Sequence, residues 1–174
     1  MKSVLCCLLL PSLLFLFSCN PDKNGRVHDL KTESQDLEKK LSRNERDTSM
    51  LHDLAQKVDA FAKDYPGDTI SGALLFDLAG RQWQMKEFRK AMATFERIGS
   101  EIKNDRYDRR SLHSRALLYL TALNQPEEAR KLLEQYLKQY GGADAAETAN
   151  VQAELESIGK TPEQLLQQIQ QHHS

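Results

Sequence analysis

The chain has 174 residues, room for one domain with appendages, and its 28% charged and 40% hydrophobic residues suit a folded globular protein. Its net charge is −1, and no sustained basic run is interleaved with aromatics, so the electrostatic footprint of a nucleic-acid binder is absent. Cys6, Cys7 and Cys19 all precede residue 20, which excludes a disulfide framework or a cysteine zinc site in the rest of the chain.

Lys2 is followed by an apolar run from Val4 to Phe17, broken only by Pro11 and Ser12. A membrane-spanning helix needs about 20 apolar residues, so this run fits the core of a signal peptide better; a short N-terminal membrane anchor is the alternative. The run closes on Leu16-Phe17-Ser18-Cys19, which resembles the lipobox of bacterial lipoproteins, with Leu at −3, a small residue at −1 and Cys at +1. The resemblance implies that residues 1–18 are removed and that Cys19 carries diacylglycerol and further palmitate-type acyl chains. Each buried methylene contributes about 0.8 kcal/mol, so two or three chains hold durably where one holds marginally. Asn20 stands where an inner-membrane retention signal would often place Asp, which favours the outer membrane and a domain facing the periplasm.

Residues 19–49 read as a lipidated Cys and a polar spacer, opening with Asn20-Pro21-Asp22-Lys23-Asn24-Gly25. Val27, Leu30, Leu37 and Leu41 hint at a heptad, but Ser34, Asn44 and Thr48 occupy the intervening and following core positions. A coiled coil needs about three or four sustained heptads, so the expectation here is a lone or transient helix, with an oligomeric coil as the alternative.

From Met50 the period is helical. Leu51, Leu54, Val58, Phe61 and Tyr65 share a face, and Pro66-Gly67 stops the helix. Ala73 to Ala79 is apolar nearly all round, as in a helix covered on several sides. Further stripes run through Phe88 to Ile102, Leu112 to Leu123, and Ala129 to Tyr140, the last closed by Gly141-Gly142. Two more helices are expected at 143–158 and 162–171, the second opened by a Thr161/Gln164 capping box. No segment alternates with the period of a strand, so the predicted fold class is all-α.

The helices repeat. Steps of 37 and then 38 residues superpose Leu54, Ala91 and Ala129, then Val58, Phe95 and Leu133, then Phe61, Ile98 and Tyr136, then Tyr65, Ile102 and Tyr140. This register over residues 50–158 resembles the tetratricopeptide repeat. Leu75, Leu78, Ala79 and Gln82 match its first helix; Phe88, Ala91, Phe95 and Ile98 match its second. In the next copy Leu117 replaces the small residue. The resemblance implies a short right-handed superhelix of helical hairpins, similar to the repeat domains of the Tol–Pal coordinator and of outer-membrane assembly lipoproteins. It also implies a peptide groove lined by first helices: Phe76, Gly80 and Trp83, then Ser114, Leu118 and Thr121. The Lys and Asn residues of the family's carboxylate clamp are absent from these places. Phe76 and Trp83 have interhelix packing as their alternative role.

No phosphate-binding loop, HExxH or nucleophile elbow is present. His172-His173 is a solvated terminus rather than a metal site, and His28, His52 and His113 lack partners in sequence. Asp68-Thr69-Ile70 resembles a short bacterial O-glycosylation sequon and is more simply a helix cap. The expectation is a non-enzymatic scaffold or adaptor: a membrane partner through the lipid, a protein partner on the repeats, no cofactor, metal, nucleic acid or small-molecule substrate. The alternative is a structural spacer in an outer-membrane assembly, joined through an N-terminal coil.

Overall fold

The computed structural model describes residues 22–102, 104–161, 163, 164, 166, 167 and 170. Cys19, the apolar run before it, and His172-His173 lie outside the described residues. Among the described residues seven α-helices can be bounded, in order α1 (Lys23–Ser42), α2 (Thr48–Asp64), α3 (Thr69–Gln84), α4 (Phe88–Glu101), α5 (Asp105–Leu118), α6 (Pro126–Tyr140) and α7 (Ala145–Ser157), with a π-helical turn at Tyr119–Leu123 after α5. No strand occurs among the described residues. The all-α expectation holds.

Short polar side chains set most helix starts. Asp22, Asp47, Asp68, Asn104 and Asp144 each accept backbone N–H groups at the head of α1, α2, α3, α5 and α7, satisfying donors that have no partner within the helix. Pro126 starts α6 from its first turn, where its missing N–H costs nothing. The expected capping box at Thr161 is formed: Thr161 N–H donates to Gln164 Oε1 (2.8 Å) and Gln164 N–H donates to Thr161 Oγ1 (3.3 Å).

Each helix packs on the next, and α3 also touches α1 and α5. Three hairpins, α1/α2, α3/α4 and α5/α6, therefore stack in order, with α7 covering the last. Each hairpin turn contains one residue in the left-handed region, Asn44, Lys86 and Asn124 respectively. Asn tolerates that conformation and Lys does not, so Lys86 is the strained turn of the three.

The repeat register survives in the packing. Leu54, Ala91 and Ala129, the Val58 set and the Phe61 set are all buried on α2, α4 and α6. Among the first helices, a step of 37 joins Leu75 to Leu112 and Ala79 to Ala116, all buried. Ala116, not Leu117, is thus the counterpart of Ala79, and the second copy keeps its small residue. From the middle hairpin to the last, first helices step by 37 and second helices by 38. The single extra residue falls between them, where the π-helical turn absorbs it and the N–H of Asn124 reaches back to the carbonyl of Tyr119.

The helix expected within the spacer forms, but it is packed rather than lone. Residues 23–42 form a 20-residue helix whose Val27, Leu30, Ser34 and Leu37 are buried. This stripe packs within the molecule against the same core as α2, α3 and α4, so it offers no seam to an oligomeric coil. Ser34 is tolerated there because its hydroxyl meets the Asp77 carboxylate of α3 and accepts from Arg81 Nε (3.1 Å).

Candidate functional site

The open face of α3 carries a shallow depression lined by Ala73, Phe76, Asp77, Gly80, Arg81 and Gln84, and completed by Tyr107 and Arg110 of α5. Helical spacing explains the set: residues 73, 76, 77, 80, 81 and 84 fall three or four apart, while Leu74, Leu75 and Leu78 turn to the core. Gly80 is the bare floor. A Cβ added there would meet nothing within 4 Å, so no neighbouring helix explains this glycine. Gly72, one face round, is different: a Cβ there would lie 2.9 Å from Ile102 Cγ2, so close packing requires glycine.

Phe76 is half-buried. Its ring stands edge-on to Phe95 (5.4 Å between centroids), lies 6.4 Å from Tyr107, and carries the Arg110 guanidinium 4.4 Å above its face. Arg110 is exposed and has no ion pair among the described residues, so its charge is available to a ligand while the ring positions it. Arg81 is the opposite case. It is 8% exposed, and its Nη2 donates to Glu38 Oε2 (2.9 Å) and Asp77 Oδ1 (3.2 Å), its Nη1 to Gln84 Oε1 (3.3 Å). Its donors are committed to holding α1 on α3.

A second depression, lined by Glu38, Leu41, Ser42, Asn44, Arg46 and Gln84, adjoins the first through Gln84. The two depressions lie side by side on the face shared by α1, α3 and α5.

The predicted groove residues divide. Phe76 and Gly80 line the depression; Trp83 is half-buried against the first core cluster and outside that lining. Leu118 is corrected: it is fully buried and joins the core of the first two hairpins. The error came from carrying the 38-residue step into first helices that step by 37, which turns a helix by about 100°. Ser114 is half-buried, and Thr121 is exposed, its hydroxyl donating to the Leu117 carbonyl (2.8 Å). Arg110 was missed, although a step of 37 places it opposite Ala73.

At the other end of the stack, α7 buries only Val151 fully. Two α5 side chains hold it: Arg109 Nε lies 3.1 Å from Glu147 Oε2, and His113 Nε2 lies 2.7 Å from Glu154 Oε2. Burial, then neighbouring Glu147, push the Tyr136 phenol up to about 12, so it stays neutral in this polar cluster.

Asp68, the predicted cap, also binds Lys23 Nζ at 2.5 Å. The Lys23 hydrogen bond, then the Ile70 N–H, hold its carboxyl below its ordinary value of 3.8. A carboxyl lowered by folding stabilises fully above 3.8, and that contribution is lost as pH falls through the depressed folded value. Asp68→Ala should cost about 1 kcal/mol near neutral pH. The gap in melting temperature between the two proteins should shrink only as the pH drops into the strongly acid range; a gap already gone at neutral pH would contradict the capping role.

Among the described residues no three His, Cys, Asp or Glu side chains form a metal cluster, and no helix is long and apolar enough to cross a membrane. The chain matches no protein-family profile, no curated protein and no solved structure.

Proposed function

We propose that this protein is a lipid-anchored scaffold of the bacterial cell envelope, most consistent with the outer membrane, and that it holds another polypeptide along the face of α1, α3 and α5. The anchor rests on the Leu16-Phe17-Ser18-Cys19 lipobox resemblance. The reading of the body as a tetratricopeptide-like superhelix rests on the 37/38 register and on small residues where paired helices meet. One observation carries the binding role: the open depression beside Phe76, with Gly80 as a floor that no protein atom covers.

An extended segment laid there would meet an aromatic edge, an unpaired guanidinium at Arg110 and the Gln84 amide. Aromatic and arginine anchors commonly dominate such contacts, at about 2 kcal/mol or more each. The spacer alternative loses its support, because the stripe a coil would need is used inside the molecule.

Two tests bear on this. Cys19→Ser should abolish fatty-acid labelling and release the protein from membranes; labelling that persists removes the anchor. Phe76→Ala combined with Arg110→Ala should deplete the partners crosslinked in membranes, with the helical circular-dichroism signal retained. If every crosslinked partner stays, the groove is wrong.

A further inference from the structure

We infer that the end of the molecule bearing the α1 N-terminus rests on a phospholipid headgroup surface, which sets the hairpins upright. The inference builds on the proposed lipid at Cys19. What drives it is the replacement of the expected spacer by a packed helix. Only Asn20, Pro21 and Asp22 separate Cys19 from α1. Fully extended, they let Lys23 stand at most about 14 Å from the lipidated residue.

Lys23 does not swing freely over that radius. It is fixed to the α2–α3 connection by its 2.5 Å bond to Asp68, and its ammonium sits 5.0 Å from the centre of the Tyr65 ring. Arg26 is tied to Asp64 at 2.6 Å. The Asn104 amide donates to Thr69 Oγ1 (3.3 Å), joining the α4–α5 connection to the same end, and Tyr140 bonds Asp108, bringing in the α6–α7 connection. The tether therefore draws three interhelix connections to the lipid together. The hairpin turns at Asn44, Lys86 and Asn124 lie at the other end, about 30 Å away along the 20-residue α1.

Charge alone would not choose between the ends. Lys63, Arg106 and Lys138 lie within a turn of the membrane-side connections and have no ion pair among the described residues, but Arg43, Arg46 and Lys86 mark the far end too. The tether decides the end, because Asp22, Asp105 and Asp144 at the same connections offset the near cations. With the hairpins upright, the depression along α3 faces to the side.

The test uses the full chain, processed in cells and reconstituted in phospholipid vesicles containing a headgroup-nitroxide lipid. The processed chain has no cysteine beyond Cys19, so one introduced cysteine takes one fluorophore. Pro66→Cys and Gly142→Cys report on the near end, Glu45→Cys and Gln125→Cys on the far end, and all four positions are exposed. Near-end fluorescence should be quenched several-fold, and far-end fluorescence should match vesicles without nitroxide. Far-end quenching, or equal quenching at all four, overturns this orientation while leaving the anchor intact. A mass spectrum with no lipid on Cys19 overturns the anchor and this inference together.

Discussion

Ala91→Glu should unfold the middle of the protein. Ala91 is fully buried where α4 crosses α3, in the core cluster that includes Leu75, Leu78 and Ala79. A glutamate adds a methylene and a carboxylate at a contact where Ala91 is fully buried. The nearby buried polar pair, Thr94 Oγ1 donating to Gln82 Oε1 at 2.8 Å, is already satisfied. Overpacking alone costs about 1–3 kcal/mol, and burying an unpaired carboxylate costs more, so a loss of roughly 3 kcal/mol or more is expected. Against a typical stability of about 5–15 kcal/mol this is a large fraction. Ala93→Glu, two residues on and exposed, should stay within about 0.5 kcal/mol of wild type. Equal melting temperatures for the two variants would mean that the hairpin register is wrong.

Leu37→Asp carries the second large effect, and it discriminates a structural α1 from a spacer. Leu37 is fully buried. Several ion pairs also join α1 to its neighbours, including Lys57 with Glu33 and Arg26 with Asp64. Exposed pairs of this kind are worth about 0–1 kcal/mol each. Burying one leucine contributes about 1.5–3 kcal/mol, so the apolar stripe outweighs any single pair. The aspartate loses that burial and adds a charge beside the core, for a total of roughly 3 kcal/mol or more. Hydrogen exchange should speed up across Lys23–Ser42, while the exposed control Gln35→Asp leaves it unchanged. A Leu37→Asp protein with wild-type stability would return α1 to the status of a tether.

These two helices also show what the sequence made legible. α4 was readable because Ala91, Phe95 and Ile98 mark one face and recur in α2 and α6. α1 was readable as a helix but not as part of the core, because its buried stripe contains Ser34 and the rest of the helix is charged. What makes Ser34 acceptable is Asp77 and Arg81, which lie 43 and 47 residues further along the chain and outside any local window. The groove was half readable for a related reason. Phe76 and Gly80 stood out as a leftover stripe on a helix whose core face was already assigned. Leu118 was misplaced because the one-residue insertion sits in a π-helical turn, which leaves no mark in an apolar run such as Leu117 to Leu123. Arg110 carried no signal of its own, since an exposed arginine becomes distinctive only when a ring lies beneath it.

The central claim is that the depression beside Gly80 holds another polypeptide at the membrane. The most direct measurement places a photoactivatable amino acid at position 80 in cells, where the site has room for it, and a second one at position 93 on the exposed face of α4 as the comparison. The account predicts a discrete crosslinked species from position 80, absent from position 93 and lost when Cys19 is replaced by Ser. No crosslink from position 80, or the same set of products from both positions, would contradict it.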